Sequence, residues 1–371
     1  MDNVFFKQLS LPEPDYALNI GSGSHGEQTG KILIRLEKVL HSTKEIDIVL
    51  VEGDTNTVLA GALAAAKLGI RVGHVEAGLR SYDRKMPEEI NRVLTDHCSD
   101  LLFAPTPKSK QTLLDEGISK DKIFLTGNTI VDAVYQNIAL ATSKVDALSQ
   151  LALKHRSYFL VTIHRQENVD NKERFSQILA GLENLHEEFN LPIIYPIHPR
   201  AKKQLKTFGL HIKNVETVDP LDYLSFLQLE NNAKLILTDS GGVQEEACIL
   251  GVPCVTLRYN TERPETLEVG ANTLAGTNPK TILSKTHKML QPKPKWKNPF
   301  GNGQAANKIV QILTKQQPHP INHTNTTRTN TTTHPTPHAF FLTNPKPTQR
   351  KPSTHGQSHE QRTCRNRENH N

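Results

Sequence analysis

The sequence predicts an α/β protein made of two doubly wound domains that face each other across a cleft. Short apolar runs of strand length recur along the chain, and most are followed by a turn and a helical pattern. Continuous apolar runs such as IDIVLVE are typical of parallel strands that are buried on both faces. The series pauses between residues 137 and 156, where strand character is missing, and then resumes. A chain of 371 residues is long enough for two such domains.

The first half begins with a glycine-rich loop and then shows a regular strand and helix rhythm. The loop GSGSHGEQTGK, Gly21–Lys31, looks superficially like a phosphate loop, but it neither follows a strand nor ends in Gly-Lys-Ser/Thr. It is therefore interpreted as a flexible loop that caps a helix running to Leu40. Strands are predicted at residues 46–52, 70–75, 101–104 and 123–126, with helices at 58–68, 87–97 and 107–116.

The second half repeats the rhythm and sets the predicted domain limits. Strands are expected at residues 158–163, 193–195, 235–237 and 254–257, with helices at 172–189, 221–229 and 242–250. A helix at 303–313 is expected to cross back to the first domain. The predicted division is 1–150 for the N-terminal domain, 151–300 for the C-terminal domain, 301–315 for the closing helix and 316–371 for a tail.

The tail differs from the rest of the chain in composition. It holds seven lysines and arginines against two acidic residues, so it carries five of the six formal positive charges. Rich in Thr, Asn, Pro and His, it is predicted to be disordered. The body is nearly neutral and shows no basic stripe, which argues against nucleic acid as a partner. With no apolar run of ~18 residues, no signal peptide and cysteines that lack zinc-site spacing, the chain is predicted to be cytoplasmic, without a membrane segment or bound metal.

Acidic residues gather where three successive elements of the first half begin or end. Asp54 follows the first strand, Glu76 follows the second, and Glu88 lies in the first turn of the helix that starts at Pro87. Singly, each has an ordinary explanation, and for Asp54 a helix cap is the favoured one. Together they suit proton transfer on both faces of one substrate, because that chemistry requires more than one acid/base group. Helical spacing places Glu88, Asn91 and Arg92 on one face.

The second half carries features that suit a diphosphate. His164 closes a strand and is followed by an arginine, and Ser240, Gly241 and Gly242 lead from a strand into a helix. Glycines there allow a diphosphate to approach the free N–H groups of the helix start. The alternative, a capped tight turn, explains Asp239 and Ser240 but not the paired glycines. Two charged residues follow these motifs: Glu246, one turn into the helix, could accept hydrogen bonds from a ribose, and Arg263 is either a phosphate clamp or a salt-bridge partner.

These motifs carry a family resemblance. GDTNTVLAG, HVEAGLRS, MPEEINR, VTIHRQEN, TDSGGVQEEA, GVPCVTLR and TERPE occur in this order, and NPFGNGQAANKI follows near residue 300. Over residues 1–315 the chain resembles the non-hydrolysing UDP-N-acetylglucosamine 2-epimerases. The resemblance implies a glycosyltransferase B-type fold of two Rossmann-like domains and a homodimer. It also implies reversible conversion of UDP-N-acetylglucosamine to UDP-N-acetylmannosamine, by elimination and re-addition of UDP without NAD or another cofactor.

The resemblance also assigns roles to residues of this chain. It implies an acid/base set of Asp54, Glu76 and Glu88, with the choice of proton acceptor left open, and His164 as the group that stabilises the departing diphosphate. UDP would be held by residues of the second half: Phe226, Ser240, Gly241, Gly242, Glu246 and Arg263. Two other readings remain open, a glycosyltransferase of the same fold and an inactive UDP-sugar-binding fragment.

Both ends of the chain depart from the family pattern. Members of the family begin with an apolar strand and a Gly-Thr-Arg-Pro-Glu turn, and neither is found here. A first domain that is truncated at its N-terminus by about one strand-helix unit is therefore expected. The tail after Lys315 has no counterpart in the family pattern. Together, the two ends suggest the hypothesis of a misplaced start and of out-of-frame translation beyond the last helix.

Overall fold

The computed structural model describes residues 8–43, 45–292, 295–316 and 339–342, and within them the chain forms two all-parallel sheets. The strands of the first sheet are β1 (Ile48–Glu52), β2 (Arg71–Val75), β3 (Leu101–Ala104), β4 (Ile123–Leu125) and β11 (Ala339–Leu342). Those of the second are β5 (Phe159–Thr162), β6 (Ile193–Pro196), β7 (Glu216–Val218), β8 (Leu235–Thr238), β9 (Cys254–Thr256) and β10 (Asn272–Leu274). The first sheet has the strand order β11-β1-β2-β3-β4 and the second has the order β10-β9-β8-β5-β6-β7.

Helices connect successive strands and pack on the sheets. In the first half they are α1 (His25–Ser42), α2 (Asn56–Lys67), α3 (Pro87–Cys98), α4 (Pro107–Asp115), α5 (Thr129–Lys144) and α6 (Ala147–Gln150), with a short 3₁₀ turn at Lys120–Lys122. In the second half they are α7 (Gln166–Val169), α8 (Lys172–Phe189), α9 (Pro199–Phe208), α10 (Tyr223–Asn232), α11 (Gly241–Leu250), α12 (Pro264–Glu268), α13 (Pro279–Leu290) and α14 (Ala305–Lys315).

The apolar run at β1 is buried on both faces of the first sheet, as expected for a parallel strand. Val49 and Val51 pack in one core with the helices α1 and α2. Ile48 and Leu50, which alternate with them, pack in a second core that includes Ile309 of α14. The last described helix therefore lies on the first sheet, although it follows the second sheet in the chain.

Helix α5 makes the reverse exchange. It follows the first sheet, yet Val131 and Val134 pack with Leu227 of α10 and Ile249 of α11. The two halves are thus joined by two sets of apolar contacts, those of α14 with the first sheet and those of α5 with helices of the second half. These contacts fix how the carboxyl ends of the strands in the two sheets face each other.

The fold class predicted from the sequence is confirmed, and the strands and helices named above lie within a few residues of the structure. Several elements were not predicted, among them the strands β7 and β10 and the helices α9 and α13. The two strands have only three residues each and carry polar residues, so neither gives a continuous apolar run.

The tail gives one difference from the prediction of disorder. Residues 339–342 form β11, which pairs in parallel with the outer edge of β1, with Ile48 opposite Ala339 and Val51 opposite Leu342. This segment is the apolar run of the tail, and an open sheet edge offers unpaired backbone groups to such a segment. Residues 317–338 and 343–371 of the tail, and with them the prediction of disorder there, lie outside the described residues. The limits of the domains stay a prediction.

Candidate active site

The carboxyl ends of the two sheets meet through polar contacts that join the halves. Thr106, after β3, donates a hydrogen bond of 2.7 Å to Glu265 of α12. Asn128, after β4, donates one of 3.1 Å to Glu245 of α11. Glu76, after β2, lies close enough to Glu245 for their charges to interact. This is the edge at which α/β proteins bind ligands, and most of the predicted site residues lie along it.

Glu76 leaves β2 in an unusual environment. Its φ of 70° lies in the left-handed region that non-glycine residues rarely adopt. Burial, together with the nearby charge of Glu245, raises the pKa of Glu76 to about 7, although Arg263 opposes the shift. A carboxyl group with such a pKa can both accept and donate a proton near neutral pH. Asp54 is among the charges that Glu76 senses, so these two predicted residues are brought together.

Asp54 is held by an arginine, and the favoured explanation of it as a helix cap is wrong. The cap position of α2 is Thr55, which makes no side-chain cap hydrogen bond. The Asp54 carboxylate instead accepts from Arg92 Nη2 at 2.8 Å and Nε at 3.1 Å. Asn91 donates to the Asp54 backbone carbonyl at 2.9 Å. The helix face that was predicted to carry Asn91 and Arg92 therefore does point at the candidate site.

Glu88 and its neighbour Glu89 occupy different surroundings on α3. Glu88 is partly buried one turn before Arg92. Glu89 is buried and accepts hydrogen bonds from the backbone N–H groups of Ser81 and Tyr82, both at 2.9 Å. It also pairs with Arg92 at 2.6 Å. Glu89 thus orders the loop between Glu76 and α3. The sequence did not reveal this role, because adjacent glutamates in a helix carry no signal of which one is buried.

His164 lies at the end of β5 beside a buried carboxylate. Asp239, at the end of β8, accepts hydrogen bonds from the backbone N–H groups of His164 and Arg165 at 3.0 to 3.1 Å. It also accepts one from Asn168 at 3.1 Å. The alternative in which Asp239 caps the following helix is therefore wrong, since its carboxylate accepts hydrogen bonds at the end of the neighbouring strand. The His164 ring remains partly exposed and lies 3.3 Å from the same carboxylate.

The N-terminus of α11 has the open geometry that an anion requires. Ser240 is its cap residue and makes no side-chain cap hydrogen bond. Outside the adjacent backbone of α11, a methyl group added at Gly242 would meet only Ser240 Oγ at 4.0 Å, and one at Gly241 would meet only Glu262 Oε2 at 3.6 Å. The first N–H groups of a helix have no intrahelical partner, so a diphosphate can approach this terminus.

Two other predicted residues of the second half, Glu246 and Phe226, lie on neighbouring helices. Glu246, also on α11, is buried and accepts a hydrogen bond of 3.0 Å from the hydroxyl of Tyr223. Phe226 is partly buried on α10, against the core that includes Val243. Tyr223 was not predicted; its only signal is the position three residues before Phe226, on the same helix.

Arg263 lies between carboxylates of both halves. Its Nε is 2.9 Å from Glu245 Oε2, and Glu76 is among the charges that raise the pKa of its guanidinium. Burial and the charge of Glu265 raise the pKa of Glu245, while Arg263 and Asn128 oppose that shift. Glu245 is the second important residue that the sequence analysis missed, because the motif QEEA gives no sign of which glutamate turns toward the cleft.

Two features are absent from the described residues. None of the helices there is both long and apolar enough to cross a bilayer. No group of three or more His, Cys, Asp or Glu residues in that part of the chain is arranged to hold a metal ion.

The two facing parallel sheets, with acidic residues after the strands of the first and an open helix N-terminus after a strand of the second, define a glycosyltransferase B-like α/β protein. The family model that describes UDP-N-acetylglucosamine 2-epimerases matches residues 1–314, and the chain belongs to that family.

Named relatives agree with the family assignment. A UDP-N-acetylglucosamine 2-epimerase from Methanocaldococcus jannaschii is 59% identical over 321 residues, which is 85% of this chain and 87% of the relative. A crystal structure of the enzyme from that organism, in complex with UDP-GlcNAc and UDP, matches with a TM-score of 0.78 at 58% identity and covers 85% of this chain and 88% of its own. A Pseudomonas aeruginosa UDP-2,3-diacetamido-2,3-dideoxy-D-glucuronate 2-epimerase is 41% identical and covers 85% of this chain and 88% of its own length.

Proposed function

We propose that the chain interconverts UDP-N-acetylglucosamine and UDP-N-acetylmannosamine by inverting carbon 2 of the sugar. The family and its close relatives support this activity. The single structural observation that carries it is Glu76, whose pKa is raised to about 7 by burial and by Glu245. Epimerisation needs groups that take a proton from one face of carbon 2 and return one to the other, and such a carboxyl group can do either at neutral pH.

The hydrogen on carbon 2 of the sugar is not acidic by itself, so the proposed route couples its removal to the departure of UDP from carbon 1. The C1–O bond to UDP breaks with its electron pair going to the β-phosphate oxygen, and a carboxylate takes the proton from carbon 2, so that a C1–C2 double bond forms. A second carboxyl group then protonates carbon 2 from the opposite face, and the UDP oxygen adds back to carbon 1. Atoms and charge balance without a redox cofactor. We assign the proton transfers to Asp54, Glu76 and Glu88 as a set.

The UDP leaving group is proposed to lie against the second half. The N–H groups that follow Ser240 face a diphosphate at the start of α11, and the helix dipole favours its negative charge. Arg263 and His164 supply further positive charge or hydrogen-bond donors, which stabilises charge that develops on the departing oxygen. Glu246 accepts from the ribose hydroxyls, and Phe226 contacts the uracil.

Two finer statements are also proposals. A homodimer is supported by α3, which exposes Ile90 (43%) and Leu94 (47%), because apolar surface of this kind commonly lies in subunit interfaces. A cytoplasmic location is supported by Cys98, Cys248 and Cys254, which are free thiols in the structure, as is usual in reducing compartments.

The experiment incubates the full chain with UDP-N-acetylglucosamine in deuterated water and follows carbon 2 by NMR. Formation of the manno epimer with deuterium at carbon 2 is expected. Binding without exchange would support the inactive fragment, and sugar transfer that needs an acceptor would support a glycosyltransferase. A parallel incubation uses the UDP-diacetamido-uronate on which the Pseudomonas relative is named to act; faster turnover of that sugar would contradict the proposed substrate.

A further inference from the structure

A buried charged network lies next to the loops that carry Asp54 and Glu76, which together form the acidic wall of the cleft. It consists of His74 on β2, Arg80 in the following loop and Asp96 on α3, all of which are nearly inaccessible to solvent. Below it is called the His74–Asp96 network. The mechanism proposed above assigns it no part in the chemistry, although burying three such groups is costly unless each is paired.

The hydrogen bonds of His74 define its protonation state. Its Nδ1 lies 2.6 Å from a carboxylate oxygen of Asp96, and its Nε2 lies 2.9 Å from the backbone carbonyl of Gly53. Both partners can only accept, since a carbonyl oxygen has no proton and the Asp96 carboxylate is ionised beside Arg80. Each ring nitrogen must therefore carry a proton, and His74 is an imidazolium.

The charges around His74 agree with this assignment. Burial alone would lower the pKa of His74, but Asp96 on α3, the Gly53 carbonyl after β1 and Glu76 in the loop after β2 raise it above its ordinary value. Arg80 is the cation that faces this group, and its charge is shared between Asp96 at 2.7 Å and Glu116 of the loop after α4 at 2.6 Å.

Asp96 reaches the second loop of the acidic wall. Its other carboxylate oxygen accepts a hydrogen bond of 3.1 Å from the backbone N–H of Gly78. The network therefore hydrogen-bonds the backbone carbonyl of Gly53, directly before Asp54, and the backbone N–H of Gly78, two residues after Glu76. A hydrogen bond between charged and backbone groups in a dry interior is strong and directional.

The loops after β1 and β2, which the network hydrogen-bonds, adopt backbone conformations that need to be stabilised. Gly53, Glu76 and Gly78 have φ values of 87°, 70° and 84°, and a left-handed conformation at a glutamate is strained unless its surroundings fix it. A methyl group at Gly78 would lie 2.3 Å from the carbonyl oxygen of Ser109. The turn after Glu76 therefore passes so close to α4 that it has no room for a side chain at Gly78.

We infer that the His74 imidazolium and Asp96 are positioning residues, which hold Asp54 and Glu76 at a fixed separation and supply the positive charge behind Glu76. This inference rests on the proposed function, since it assumes that both carboxylates act on the substrate. The electrostatic interaction between His74 and Glu76 acts equally on both groups. Because Glu76 favours the charged form of His74, the imidazolium must equally favour the ionised form of Glu76.

The test compares Asp96→Asn and His74→Gln with a matched control in the full chain. Asp132→Asn makes the same chemical change at a buried carboxylate that accepts from the N–H groups of Ala305 and Ala306, away from the network. We expect kcat to fall about 10- to 100-fold in both network variants with KM changed by less than about twofold, as for lost orientation. The control keeps its kcat.

Two further readouts separate positioning from a purely structural role. In His74→Gln the acidic limb of the kcat/KM profile moves to higher pH, because Glu76 loses a nearby cation. In ¹⁵N-histidine spectra of the unmutated chain at pH 8, His74 shows two ring N–H protons, and Asp96→Asn loses that pattern.

Folded network variants with unchanged kcat and an unmoved acidic limb would overturn the inference, as would a His74 ring with one proton at pH 8. If the unmutated chain fails to exchange deuterium at carbon 2, the proposed function fails, and the NMR result still decides whether the charged network exists.

Discussion

Glu76 is the residue at which stability and chemistry make opposite demands. Burial beside Glu245 disfavours its ionised form and raises its pKa to about 7, whereas an unfolded chain would ionise it near its ordinary pKa of about 4.5. The folded state therefore binds this proton more tightly than the unfolded state. As pH rises from about 4.5 to about 7, that difference removes stability, and the loss is complete above pH 7.

The first prediction follows for Glu76→Gln. Turnover of UDP-N-acetylglucosamine should fall by at least about 100-fold, because a general acid/base is lost. The variant should be more stable than the unmutated chain at pH 8, by on the order of 1–3 kcal/mol, since its side chain has no charge to bury. Urea unfolding measures this gain, which should shrink as pH is lowered toward 5. A variant that keeps full turnover, or that is less stable at pH 8, would contradict the account of Glu76.

At the scale of the element, α3 shows how two adjacent glutamates acquire different tasks. Successive helix residues are rotated by about 100°, so Glu88 and Glu89 cannot share one environment. Burial alone would raise the pKa of Glu89, but the amides of Ser81 and Tyr82 together with Arg92 outweigh it and lower that pKa. Its stabilising effect is therefore present at neutral pH and is lost as pH falls below its ordinary value.

The second prediction compares Glu88→Gln with Glu89→Gln. Glu89→Gln should lower the free energy of unfolding by about 2–4 kcal/mol at pH 7, because it leaves Arg92 without its buried partner. Glu88→Gln should change it by less than about 0.5 kcal/mol, as for a residue without such a partner, and should reduce turnover instead. Urea unfolding and the deuterium exchange assay on both variants check this order. Equal losses of stability would show that the helix is oriented differently.

The same element shows how far the sequence could lead. Apolar runs predicted β1, β2 and β3, because strands buried on both faces leave a continuous hydrophobic signal. The pattern also placed Asn91 and Arg92 on one face of α3. It could not choose between Glu88 and Glu89, nor between Glu245 and Glu246, since the choice depends on helix rotation against the rest of the fold. The pairing of β11 with β1 depends on a free sheet edge, which is a property of the folded sheet.

At the scale of the whole molecule, the acidic wall of the first half is tuned by the second half. The carboxylate of Glu245 raises the pKa of Glu76 across the cleft, and Arg263 lowers it. Arg263 is paired with Glu245 at 2.9 Å, so the two groups act on Glu76 as a partly compensated pair. The pKa of Glu76 in the first half thus depends on how the two halves are held together.

The last prediction is therefore that Glu245→Gln moves the acidic limb of the kcat/KM profile to lower pH. Removing the Glu245 charge lowers the pKa of Glu76 directly, and it also leaves Arg263 free to act more strongly on Glu76, so both effects have the same sign. Glu265→Gln serves as the matched control, because Glu265 also joins the halves, through Thr106 at 2.7 Å, and its expected effect on the limb is smaller. The measurement is the pH dependence of kcat/KM for the three proteins. A limb that stays in place in Glu245→Gln, or moves to higher pH, would mean that the second half does not set the protonation of Glu76.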